Sequence, residues 1–153
     1  MTTPPTDEAA SIPIIQLWDV LLVPIQGELL DRQAERLRAD VLRRVQETGA
    51  RHLFVDVSGV WLMDSHLCSV LAGLASAARY MGTATIITGL SPDIALTLQS
   101  MGLHVGTGRT LRSLEGAFES LGIRPSKGAR DDGANAIVRR LLAQQQSDDR
   151  SDP

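Results

Sequence analysis

Residues 54–70 read FVDVSGVWLMDSHLCSV, and the class of fold turns on this stretch. With His52 and Leu53 ahead of it, its opening is a compact apolar run, which predicts a buried strand over residues 52–57. Ser58, Gly59 and Val60 read as the loop that ends the strand. A helix is expected from Asp64 or Ser65, with Leu67, Val70, Leu71, Leu74, Ala75 and Ala78 as its buried stripe and Gly82 as its stop. Small residues are frequent along it, so it can lie close to a sheet. A strand passing through a short loop into a helix start is the repeating unit of α/β proteins.

Working outward, strands are expected over 12–17 and 20–25, joined by a tight turn at Trp18 and Asp19. Two strands so joined must run antiparallel. Pro24 cannot donate to a ladder, which implies a bulge or a sheet edge. Leu30, Ala34, Leu37, Val41 and Val45 recur at helical spacing over 29–48, and Gly49 stands at the C-terminal end. Residues 83–88, TATIIT, predict the next strand. Ser91, Pro92 and Asp93 open a helix that runs to Met101, through a capping hydroxyl, a first-turn proline and an acid at the positive end of the dipole. A short strand at 103–105 and a last helix over 110–121 complete a β-β-α-β-α-β-α-β-α order. Such alternation predicts an α/β fold with a mostly parallel sheet.

The domain is expected over residues 12–123. Residues 1–11, rich in Thr, Pro and acids, predict disorder. Residues 124–153 predict a linker, a short amphipathic helix over 134–146 and a disordered tail. At 153 residues the chain can bury roughly two-thirds of its unfolded surface without disulfide or metal. Aromatics make up 3%, so the core must be aliphatic. A net charge of −3 argues against a nucleic-acid partner. One cysteine, no secretory signal and no apolar run of membrane length point to a cytoplasmic protein without membrane attachment.

Chemistry is expected at the carboxyl end of the strand at 52–57, where ligands and partners gather in open α/β sheets. There, Ser65 or Asp64 can simply cap the helix. Ser65 can instead accept a phosphoryl group, which the exposed N–H groups and dipole of a helix start favour. That adds about −1.5 to −2 charges beside Asp64 and Asp56 and repels a partner fitted to the neutral hydroxyl. A nucleophilic Ser65 or Cys68 fails on geometry, because Ser65 and His66 are helix neighbours that do not face each other. His52 and His104 are expected near strand starts, away from Ser65. Cys68 reads as a small residue on the helix's less buried side or at its packing edge. The run VGTGRT at 105–110 lacks the third glycine of a dinucleotide loop and the lysine of a Walker loop, and reads as a turn. Scattered His and Cys give no metal-ligand spacing, so neither metal nor cofactor is expected. Arg32, Arg36, Arg38, Arg43 and Arg44 stand among acids and read as a solvated helix face.

VDVSGVWLMDS, with Asp56, Ser58, Asp64 and Ser65, resembles the signature of STAS domains, the family of anti-anti-sigma factors and related scaffolds. IPIIQLWDVLLVPIQGEL at 12–29 and GTATIITGLSPDIALTLQSMGL at 82–103 are similar to stressosome proteins of that family, in particular its small scaffold subunit. The resemblance implies a mixed sheet with helices mainly on one face and an antiparallel N-terminal strand pair. It implies a non-enzymatic scaffold in a homo-oligomer or larger assembly with a sensor-type STAS paralogue. The scaffold would hold a switch serine kinase and release it when Ser65 is phosphorylated. Asp56, Ser58, Asp64, Ser65 and His66 would form the partner-binding loop, and Thr97 matches a second phosphorylation position. A chain with no room for a sensor domain before Ser11 fits the scaffold role. The alternatives are a simple anti-sigma factor antagonist and, from another class, a nucleotide enzyme using the loop at 106–109.

Overall fold

The computed structural model describes residues 11–100 and 109–123, together with Ala143. Strands β1 (Ile15–Leu17), β2 (Val20–Gly27), β3 (His52–Val60), β4 (Ala84–Thr88) and β5 (Arg109–Leu111) form one sheet in that spatial order. β1 and β2 are antiparallel, and every later neighbour is parallel. Helices α1 (Asp31–Thr48), α2 (Ser65–Tyr80), α3 (Pro92–Ser100) and α4 (Leu114–Ser120) make the connections or follow the last strand.

Alternation along the strands builds two apolar layers. Leu21, Val23, Ile25, Leu53, Val55, Val57 and Ile87 face α1, α2 and α3 in the main core. Val20, Leu22, Phe54 and Ile86 face the other way, towards Leu114 and Ala117 of α4. Among the described residues three helices thus cover one face and one covers the other, the mixed architecture expected from the sequence.

Pro24 falls in β2, and the pairing with β3 shifts between Pro24 and Gln26. A bulge therefore accommodates it, and β1 ends opposite Leu22, so no β1 partner is left waiting for the missing N–H. The same bulge corrects the expected loop at Ser58 to Val60. Past it, Gln26 pairs with Gly59 and Gly27 with Val60, so β3 continues as strand to Val60.

The start of α1 also moves. Leu30 is its N-cap in extended conformation and is exposed, rather than part of the buried stripe. Its N–H donates to Gln33 Oε1 at 3.0 Å. Arg38, Arg43 and Arg44 pair with Glu35, Asp40 and Glu47 along the helix, the solvated face the sequence predicts. Ser91 caps α3 by accepting from Ile94 N–H at 3.2 Å.

Arg109 and Thr110 lie in β5, and Ser113 caps α4 three residues beyond the expected helix start at 110. The registers Ile87↔Thr110 and Thr88↔Leu111 give the backbone a ladder at those positions in place of a first helical turn. The expected strand at 103–105, His104, the glycines of VGTGRT and the terminal segments lie outside the described residues, apart from Ser11, Arg109, Thr110 and Ala143.

Cys68 is not at a packing edge. It is 4% exposed within the main core, because α2 packs against both the sheet and α1 and so buries a wider arc than one stripe. Burial pushes its thiol pKa up, and the nearby Asp64 carboxylate adds to the shift. Thiolate, the reactive form, is therefore suppressed. In native protein Cys68 is expected to resist a thiol-specific disulfide reagent at neutral pH and to react fully once unfolded. Rapid labelling of the folded chain would contradict this. Because the folded state holds the proton more tightly than the unfolded one, stability is unaffected by this group below the ordinary thiol pKa. It declines as pH rises above that value.

Candidate functional site

Ser65 is the first residue of α2, at the carboxyl end of the sheet, and it is exposed. The residue before it does the capping. Asp64 is extended, and its Oδ1 accepts the N–H of Leu67 at 2.7 Å. The Cys68 N–H bonds to the Asp64 carbonyl at 3.1 Å and closes the first turn. Among the described residues the Ser65 hydroxyl has no hydrogen-bond partner. The two readings the sequence left open thus separate onto two neighbours: Asp64 holds the helix, and Ser65 presents an unused hydroxyl.

Asp56 lies in β3, as the sequence predicts, with its carboxylate turned into the fold. It is 8% exposed within β3, opposite Thr88 of β4. Its Oδ1 accepts the fully buried Thr88 hydroxyl at 2.9 Å, and its Oδ2 accepts the Ser58 hydroxyl at 2.8 Å. Its oxygens are thus engaged inside the fold, where they tie the end of β3 to β4. Ser58 is exposed but leans on this carboxylate. Gly89, just past β4, presses on Ser58, since a Cβ there would stand 2.6 Å from the Ser58 Cβ. Sequence spacing groups Asp56, Ser58, Asp64 and Ser65, and the structure divides them into a bonded pair, Asp56 with Ser58, at the end of β3 and an exposed pair, Asp64 with Ser65, at the start of α2.

His66 is half-buried on α2 and turned to α1, its Nε2 3.6 Å from Glu35 Oε1. Glu35 itself pairs with Arg38 at 2.6 Å, and His66 Nε2 is buried without a hydrogen-bond partner among the described residues. Thr97 lies on α3, where its hydroxyl donates to the Asp93 carbonyl at 2.9 Å, a back-bond within its own helix. His52 begins β3 at the amino end of the sheet, opposite the end that carries Ser65.

The loop between β3 and α2 carries two residues that sequence reading passed over. Trp61 is 85% exposed and Leu62 is 59% exposed, while Met63 beside them is buried. Trp61 N–H reaches the Gly27 carbonyl at 3.3 Å, so the loop is tied at both ends of its apolar tip. The signal available was the run Val60 to Met63, five apolar or glycine positions from Gly59 with no polar break, too long for a solvated turn. A concavity of about 760 Å³ opens beside it, lined among others by Ile12, Leu30, Asp31, Arg36 and Asp64.

A family model described as the STAS domain matches residues 11–115. Among curated proteins, the RsbT co-antagonist protein RsbRD of Bacillus subtilis is 29% identical over 115 residues, covering 74% of this chain and 41% of that protein. RsbRC, also of Bacillus subtilis, is 31% identical over 104 residues, covering 67% of this chain and 36% of its own length. The chain therefore spans less than half of these relatives. Among solved structures, a serine-to-glutamate variant of Moorella thermoacetica RsbS superposes with a TM-score of 0.66 at 26% identity, covering 72% of this chain and 94% of that one. Among the described residues no helix is long and apolar enough to cross a membrane.

Proposed function

This chain belongs to the STAS domain family, and on that footing we propose that it is a regulatory scaffold of stressosome type whose hold on a switch serine kinase ends when Ser65 is phosphorylated. The observation that carries the reading is the free, exposed Ser65 hydroxyl at the first residue of α2, with the capping task taken by Asp64. The likeness to RsbR-type co-antagonists and to RsbS supports assembly with STAS paralogues as its setting. The role is one of binding and release, without catalysis by this chain.

The switch is a change of charge at a fixed place. A kinase bound to the neutral hydroxyl brings nucleotide phosphates and a carboxylate base to within bonding distance of it. Transfer leaves about −1.5 to −2 charges on Ser65, next to Asp64, facing that anionic centre. Docked kinase and phosphorylated loop then repel each other, with no refolding required. Asp56 and Ser58 have the task of fixing the strand end from which the loop departs, and His66, half-buried in the first turn of α2, faces α1.

The test is incubation of the full chain with the switch serine kinase of its host and Mg·ATP, followed by mass spectrometry. Phosphate is expected on Ser65, and Ser65→Ala should abolish it. Ser65→Asp is expected to bind the kinase at least about 10-fold more weakly at unchanged melting temperature. Phosphate found on other residues but never on Ser65 would end this reading, and equal affinity of the two forms would end the charge mechanism.

A further inference from the structure

Both tryptophans and the single tyrosine of the chain stand outside the core: Trp18 is 74%, Trp61 85% and Tyr80 93% exposed. Of these rings, only Trp61 is close to Ser65. They stand four positions apart, and an extended chain spans at most about 3.6 Å per residue, so their Cα atoms lie within about 14 Å of each other. A specific interface covers roughly 800 Å² per partner, a disc of about 16 Å radius. A footprint of that size centred on the Ser65 hydroxyl reaches Trp61 and Leu62.

We propose that Trp61 and Leu62 are the docking anchor by which the kinase recognises this chain, seated in an apolar socket beside its active centre. The inference rests on the proposed phosphorylation of Ser65 and adds the element of specificity to it. Truncating exposed side chains normally changes little, whereas a tryptophan near an interface centre often carries much of the affinity. The loop is held ready for that use: Met63 is buried, Trp61 N–H is bound to the Gly27 carbonyl, and Asp64 caps α2. Such preorganisation reduces the ordering cost of docking. Ser65 supplies the acceptor atom, and the two apolar side chains supply the grip.

The grip is expected to show in KM, because it acts equally on ground state and transition state. For the full chain carrying Trp61→Ala with Leu62→Ala, kcat/KM for phosphoryl transfer to Ser65 should fall roughly 10- to 100-fold, with the loss carried by KM. Tyr80→Ala is the control. Tyr80 ends α2, fifteen residues from Ser65 and about 22 Å along the helix, outside the footprint. Its kinetics should match wild type. In a Trp18→Phe background Trp61 is the sole tryptophan, and its emission should shift to the blue when the host's switch serine kinase and a non-hydrolysable ATP analogue are added. Wild-type kinetics in the double variant, together with unmoved Trp61 emission in the Trp18→Phe chain, while Ser65 is still phosphorylated, would overturn the anchor and leave the phosphorylation intact. A blue shift with the chain's own concentration alone would assign the patch to a second copy and also overturn it. Wild-type chain never phosphorylated on Ser65 would remove both the reading and the anchor built on it.

Discussion

Phe54→Ala should lower the unfolding free energy by about 3–5 kcal/mol in urea titration. Phe54 has no exposed surface, and its ring meets Phe118 edge-on with centroids 5.1 Å apart at 73°. It stands on the thinner side of the sheet, where the buried cluster is Ile15, Val20, Leu22, Phe54, Ile86, Leu114 and Ala117. α4 has seven residues, too few to persist as a helix without tertiary contacts. Loss of the ring leaves a cavity beneath it that so short a helix cannot fill by moving, because its Ser113 cap and β5 fix one end. Backbone hydrogen exchange should therefore accelerate first in α4. Phe54→Leu, which keeps much of the volume, should cost under about 1.5 kcal/mol. A loss below about 1 kcal/mol for the alanine variant would show that this layer is not packed as described. Ser65 lies at the sheet's edge beyond the other layer, so its phosphorylation should persist wherever the variant remains folded.

Gly89→Ala is expected to cost about 3 kcal/mol, from two separable causes. The residue has φ +80°, a left-handed conformation that a side chain disfavours by about 1–2 kcal/mol. The added Cβ would also stand 2.6 Å from the Ser58 Cβ and 2.8 Å from the Ser58 Cα and N. These atoms cannot yield cheaply. Gln26 pairs with Gly59 beside them, and Asp56 holds the Ser58 hydroxyl. Gly82 provides the comparison: its φ is +85°, and a Cβ there would meet nothing within 4 Å. Gly82→Ala should show the conformational cost alone, and the difference between the two variants measures the contact. Equal losses would mean that Ser58 is free to move, which would contradict its role in fixing the strand end before the loop.

The repeating order of elements was legible in the chain because it rests on local patterns. Short apolar runs gave β2, β3 and β4 their places, and the 3.6-residue stripe placed the body of α1 and α2. Ser91, Pro92 and Asp93 marked α3, because caps and first-turn residues act over three or four positions. The motif around Ser65 was legible for the same reason, since Asp64 and Ser65 stand side by side at one helix start.

What the chain alone did not decide depended on partners distant in sequence. The extension of β3 through Val60 needed Gln26 and Gly27 from β2, brought there by a bulge at Pro24. Asp56 became a buried acceptor because Thr88 arrives opposite it from thirty-two residues away. Cys68 entered the core because α1 lies against α2. Trp61 and Leu62, apolar by composition, were left in water by a loop anchored at Gly27 and Met63. Local sequence determines which segments are strands and helices, since their hydrogen bonds and periodicities are short-range. Burial and exposure of a given side chain belong to the packed whole, because they depend on what the rest of the chain places beside it.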